Sequence, residues 1–283
     1  MIKFQHTIFA LPFALIALVS ATPASWPEAR VWFWVLTAMV GARTAAMSFN
    51  RLADAGIDAV NPRTASRSLP AGRLSRRYVA AVTVVSSMLF LLAAFELNPL
   101  CAKLSLPVLA VLLGYSRAKL LTAGVHLWLG FALGLAPVGA WAAAVGHISM
   151  PPVVLGAAVL FWVAGFDIIY SLQDEDFDRE HRLHSIPVSM GKARALVLAR
   201  VFHLLALVGF SSFALLDGGG SLRWAAVLAA GFLLIWQHRL VKPDDLSRVN
   251  AAFFTANGVL SLLMGFLFLL AHGMGIAAMG GAG

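Results

Sequence analysis

The stretch 48-SFNRLADAGIDAVNPRTASRSLPAGRLSRR-77 puts two aspartates and six arginines at the end of one of the most apolar segments of a 283-residue chain. That chain is 60% hydrophobic and only 12% charged, which is too apolar for a soluble domain of ordinary composition. Apolar runs long enough to cross about 30 Å of hydrocarbon recur along it, and no polar region is long enough for a separate soluble domain. The quoted stretch is therefore the water-exposed connection between two membrane spans. Periodicity and breakers predict an all-α bundle of nine spans at 7–21, 31–50, 79–96, 100–116, 125–143, 151–170, 193–215, 222–240 and 248–272, forming one integral membrane domain over 1–283. Residues 1–25, with a basic start, apolar middle and small residues after it, also fit a secretory signal peptide. The remaining spans need this segment to complete a consistent topology, so it is taken as the first span. The Gly-rich end, GMGIAAMGGAG, is expected to be poorly ordered. A single cysteine, Cys101, excludes an internal disulfide and a Cys-based metal cluster.

Charge sets the orientation. With the N-terminus in the cytoplasm, 17 of the 21 Lys and Arg residues fall on the cytoplasmic side; Arg30, Lys103 and Arg223 lie outside and Arg43 within the second span. This predicts a protein of the inner (cytoplasmic) membrane with its polar working face inside. A basic face beside anionic lipid accounts for the net charge of +8, and no nucleic-acid partner is needed to explain it.

Ten of the 13 acidic residues share that face, most of them in two blocks. Asn50, Asp54 and Asp58 close the second span, and Asp167, Asp174, Glu175, Asp176, Asp178 and Glu180 close the sixth. On a continuing helix each step of four residues drifts only about 40°, so Asn50, Asp54 and Asp58 form one stripe. The same geometry sets Asp174 and Asp178 about 20° to either side of Asp167, with Asp176 on the opposite face. Two facing stripes of hard oxygen ligands at a membrane border call for a cation. Carboxylates pooled with amide oxygens suit Mg²⁺ completed by phosphate oxygens, and no Cys or His stands at ligand spacing for zinc.

Between the blocks, Arg63 and Arg67 are candidates for the anionic end of a ligand, because a guanidinium forks onto diphosphate oxygens. Membrane anchoring explains those two equally well and explains Arg73, Arg76 and Arg77 better. The connection after the fourth span, 114-GYSRAKLLTAG-124, adds Arg117 and Lys119. Glu175, Asp176 and Glu180 read as solvated loop charges, His181 and His184 as surface groups, and Asp244 and Asp245 as helix caps. Arg43 and His126 are too polar to face lipid and should turn inward or snorkel.

The pair 50-NRLADAGID-58 and 61-NPRTASRSLPAG-72, with 167-DIIYSLQDEDFD-178 and 184-HSIPVSMG-191, resembles the UbiA superfamily of intramembrane aromatic prenyltransferases. Within it the chain looks most like the 4-hydroxybenzoate polyprenyltransferase group, particularly the branch on the futalosine route to menaquinone. The likeness covers nearly the whole chain, including 126-HLWLGFALGLAPVGAW-141. The resemblance implies a nine-helix bundle around a cavity capped by the two Asp-rich motifs. It implies that Asn50, Asp54, Asp58, Asp174 and Asp178 hold Mg²⁺ on the diphosphate of a polyprenyl donor. Arg63, Arg67 and Lys119 would contact the diphosphate, and Asp167 would line the acceptor end.

The implied reaction is loss of diphosphate to leave an allylic carbocation, which an electron-rich aromatic ring attacks. No enzyme nucleophile is required. One departure concerns the acceptor: the family commonly has Lys-Arg after the fourth span, the Arg being associated with the acceptor carboxylate, whereas here the pair is Lys119-Leu120. Arg117, three residues before Leu120 and roughly on the same helical face, can take that role or be a surface charge. The acceptor is thus 4-hydroxybenzoate or another aromatic acid such as a dihydroxynaphthoate; haem or chlorophyll-type acceptors belong to the same superfamily. A cation transporter would need acidic groups continuing toward the outer leaflet, and the D-G-x-x-D pattern of CDP-alcohol transferases is absent.

Overall fold

The computed structural model describes residues 7–280. The helices are α1 (Thr7–Ser20), α2 (Ala29–Ala53), α3 (Ala55–Val60), α4 (Arg76–Leu97), α5 (Pro99–Gly114), α6 (Ala118–Leu121), α7 (Val125–Val145), α8 (Met150–Ser171), α9 (Glu175–Glu180), α10 (Ile186–Met190), α11 (Lys192–Leu216), α12 (Ser221–Arg239) and α13 (Asn257–Gly280). Single 3₁₀ turns at Tyr115–Arg117 and Leu172–Asp174 extend α5 and α8, and a π-turn at Ala251–Ala256 leads into α13. Every expected span coincides with a helix. Six helical stretches among the described residues are long and apolar enough to cross a membrane; α1 is apolar but shorter, while α2 and α12 carry arginines near both ends.

Side chains explain the joints. Asn98 ends α4 and caps α5: its oxygen accepts from the Cys101 N–H at 3.0 Å and its amide donates to the Ala142 carbonyl at 2.8 Å, tying this hairpin to α7. The π-turn leaves the Ala252 carbonyl available, and the buried Gln237 amide donates to it at 2.9 Å. Asn257 joins the same knot, accepting from the Trp162 indole at 3.0 Å.

Helix α8 is the axis of the bundle, packed between α7 and α11. Its Trp162, Val163, Phe166, Ile168 and Ile169 are fully enclosed, and an aromatic cluster of Phe9, Phe13, Phe210 and Phe253 closes around Trp162 and Phe166. Outward, Phe33, Leu106, Phe131, Leu228 and Phe266 are exposed, the apolar exterior that a hydrocarbon solvent requires.

Two expectations about the course of the chain fail. The Gly-rich end is helical as far as Gly280, because α13 continues through it; residues 281–283 lie outside the described residues, as does Lys3. Asp245 does not cap a helix. It caps its own turn, accepting from the Ser247 N–H at 3.0 Å and the Ser247 hydroxyl at 2.6 Å, while helix begins only at residue 249.

Candidate active site

The first acidic stripe survives a break in its helix. Asp54 ends α2 with φ −89° and ψ 0°, yet its N–H still donates to the Asn50 carbonyl at 2.9 Å, and the Asp58 N–H to the Asp54 carbonyl at 2.7 Å. Those i to i−4 bonds keep the helical register, so the four-residue spacing still stacks the three side chains. The second stripe likewise runs from α8 through the 3₁₀ turn into α9, with Asp174 and Asp178 both buried and Asp176 exposed, as the angular reading predicts.

Three of these carboxylates meet the cations named from sequence. Arg63 grips Asp174 with two bonds, Nε to Oδ1 at 2.8 Å and Nη2 to Oδ2 at 2.6 Å, across 111 residues of chain. Arg67 donates Nη1 to both oxygens of Asp58, at 2.6 and 2.8 Å. Lys119 Nζ lies 3.4 Å from Asp178 Oδ2. Arg51, which sequence reasoning left out, adds a second cation 3.5 Å from Asp58. The Arg63 guanidinium also lies over the Tyr170 ring, 5.5 Å from its centroid, and donates to the Tyr170 hydroxyl at 3.3 Å. Arg63 and Arg67 therefore reach into the site rather than serving only as membrane anchors.

Asp54 differs from the other three. Half-buried, it forms no ion pair among the described residues and accepts only from the neutral Asn50 amide at 2.8 Å. Burial first, and then the neighbouring Asp58 carboxylate, push its pKa up to about 6. A carboxylate under that strain is one that a cation would relieve. Among the described residues no three His, Cys, Asp or Glu groups already converge on one point. The donor set of amide and carboxylate oxygens nonetheless fits a hard divalent ion, provided that the basic partners turn to its anionic ligand.

Asp167 sits one layer deeper on α8, bonded to His126 of α7. The His126 Nε2 accepts from the Ile186 N–H at 3.3 Å, so the ring proton is on Nδ1, which donates to Asp167 Oδ2 at 2.7 Å. Ile186 opens α10, where its N–H has no partner within the helix, and His126 supplies one. Of the two readings open from sequence, inward or snorkelling, His126 takes the inward one; its two partners were not legible. Replacing it with alanine leaves a buried N–H and a carboxylate without donors; we expect His126→Ala to cost about 1–3 kcal/mol, measured as a lowered thermal midpoint in detergent.

The loop after α9 closes this end. Arg182 adopts φ +54°, turning the chain back so that the His184 N–H donates to the Lys119 carbonyl at 2.8 Å. Glu175 is not the solvated charge expected: it is buried, with Arg179 and Lys192 on its two oxygens. Asp176, Glu180, His181 and His184 are exposed as expected, and Arg43 is half-buried in α2. Arg117 is exposed on its 3₁₀ turn and takes no part in the ion pairs of the site.

Residues 10–259 match the model of the UbiA prenyltransferase family. The chain is 29% identical to the 4-hydroxybenzoate octaprenyltransferase of Salmonella paratyphi C (strain RKS4594), over 91% of this chain and 89% of that one. Its counterpart in Vibrio parahaemolyticus is 27% identical over 77% and 76%. Among solved structures, a UbiA homolog from Aeropyrum pernix K1 superposes with a TM-score of 0.87 at 33% identity, covering 96% of this chain and 99% of that one. A UbiA homolog from Archaeoglobus fulgidus, solved with GPP and Mg²⁺, shares the fold at a TM-score of 0.70 and 19% identity, over 96% and 95% of the two chains.

Proposed function

The chain belongs to the UbiA prenyltransferase family, and from that premise we propose that it transfers a polyprenyl group from a polyprenyl diphosphate to an aromatic acid. The acceptor class is 4-hydroxybenzoate or a hydroxynaphthoate, on the way to ubiquinone or menaquinone. The observation that carries this reading is the set of interlocked pairs Arg63–Asp174, Arg67–Asp58 and Lys119–Asp178, which joins two acidic stripes at one end of an apolar bundle. The names of the relatives support the acceptor class, and the ligands of the Archaeoglobus homolog support the donor.

Asn50, Asp54 and Asp58 on one side, with Asp174 and Asp178 on the other, would hold Mg²⁺. When bound, the ion offsets the charge of the diphosphate and makes it a better leaving group. Arg63, Arg67 and Lys119 then exchange carboxylate oxygens for phosphate oxygens, so each cation keeps an anionic partner throughout. Asp167, oriented by the hydrogen bond from the His126 Nδ1–H, is assigned to the acceptor end, where a weak base suffices for the ring proton. The apolar bundle accommodates the isoprenoid chain, and the positive-inside distribution supports a site on the cytoplasmic face of the inner membrane.

Membranes containing the protein, given Mg²⁺, a labelled polyprenyl diphosphate and a panel of aromatic acids, should yield a prenylated acid together with diphosphate. Chelation with EDTA should abolish the product, and added Mg²⁺ restore it; transfer that persists without divalent metal overturns the assignment. In the same assay Arg117→Ala should leave the acceptor KM unchanged, because Arg117 is exposed and outside the ion pairs. A clear rise in KM would instead assign Arg117 to the acceptor carboxylate.

A further inference from the structure

Between α11 and α12 lies a cavity of about 470 Å³ to which the transfer reaction gives no role. It sits toward the end of the bundle that carries the acidic stripes, since α11 begins at Lys192, the partner of Glu175, and α12 ends at Arg239. Arg200 and Arg239 stand exposed at its rim, Leu204 and Ile235 are exposed apolar groups on its walls, and His203 and His238 form its inner side.

The two histidines have defined proton positions. The buried His203 has Nε2 at 3.3 Å from the Trp162 carbonyl, which can only accept, so His203 donates from Nε2 and its Nδ1 is an acceptor. That Nδ1 is 2.9 Å from His238 Nε2, which must therefore donate. His238 Nδ1 is left as an acceptor, buried and without a hydrogen-bond partner among the described residues. The arrangement is built into the fold: a Cβ at Gly165 would stand 2.4 Å from the His203 ring, so only glycine admits this histidine.

Two exposed guanidinium groups and an unsatisfied acceptor lining one cavity call for a ligand with both anionic oxygens and a hydroxyl donor. The exposed apolar walls add that the rest of this ligand is lipid. We propose that the cavity binds the headgroup of an anionic glycerophospholipid of the phosphatidylglycerol type. Arg200 and Arg239 hold the phosphodiester, a headgroup hydroxyl donates to His238 Nδ1, and the acyl chains lie along Leu204 and Ile235. A choline or ethanolamine headgroup would instead bring a cation against two arginines.

The full chain, released from micelles of phosphatidylcholine with either phosphatidylglycerol or phosphatidic acid, tests this by native mass spectrometry. The protein should retain phosphatidylglycerol over phosphatidylcholine on the order of tenfold, the effect of two basic groups at a membrane surface. Arg200→Gln/Arg239→Gln should lose that preference, while Arg76→Gln/Arg77→Gln, equally basic and on the same face, should keep it. His238→Phe should bring phosphatidylglycerol down to the level of phosphatidic acid, which lacks the headgroup hydroxyl. Equal retention of phosphatidylglycerol and phosphatidylcholine by the unaltered protein overturns the site. So does full preference in the Arg200/Arg239 variant, which would assign the effect to general surface charge. An unchanged ratio in His238→Phe overturns the hydroxyl contact.

Discussion

Asp54→Ala and Asp174→Ala should each lower prenyl transfer about 10³-fold in kcat/KM, equivalent to about 4 kcal/mol of lost transition-state stabilisation. The two residues represent the two stripes and should fail for different reasons. Asp174 is the bidentate partner of Arg63, so its removal takes away one oxygen ligand and also frees a guanidinium at the site. Asp54 has no such partner, and its carboxylate is held at a cost in the folded protein. Its folded pKa lies above the ordinary carboxylate value, so the ionised form opposes folding at neutral pH, and that cost grows as pH rises through about 6. Removing it should therefore leave the thermal midpoint at pH 7 unchanged or higher while abolishing activity. That combination separates a functional carboxylate from a structural one. Normal diphosphate release and transfer by both variants would sink the metal assignment.

The main course of the fold was legible because a membrane span must satisfy its own backbone, and only a long apolar helix does so. Each apolar run between breakers became a helix, with boundaries displaced by a few residues. The angular pattern of the acidic groups was equally legible: Asp176 is exposed while Asp174 and Asp178 are buried, since the spacing of side chains around a helix is local geometry. The pairings were not. Nothing near Arg63 in sequence announces a partner 111 residues away, and His126 meets Asp167 and Ile186 at separations of 41 and 60. Glu175 was misread for the same reason, because its burial depends on Lys192 and on the loop that folds back over α9. The Gly-rich end misled differently: glycine disfavours an isolated helix, but α13 packs along α1 and α12 and carries the segment with it.

Gly130→Val should disable the protein by a route that touches no catalytic group. Gly130 and Gly134 stand four residues apart on α7, and α8 approaches at that point with glycine on its own side. A Cβ at Gly130 would lie 2.2 Å from the Leu160 carbonyl oxygen, and Gly134 and Gly156 each face the other's carbonyl at 2.5 and 2.7 Å. These obstacles are backbone atoms, which cannot rotate away as a side chain would, so a larger residue must separate the helices. That separation acts on the site directly, because α7 carries His126, α8 carries Asp167, and their bond is only 2.7 Å long. The expected loss is about 3 kcal/mol or more, at the upper end of overpacking costs, with prenyl transfer falling in parallel. Gly139→Ala on the same helix is the control, since a Cβ there meets nothing within 4 Å. It should hold or raise stability, by up to about 1 kcal/mol from helix propensity alone. Thermal midpoints in detergent decide the matter: a Gly130→Val protein that melts with the parent would show that α7 and α8 do not approach through their glycines.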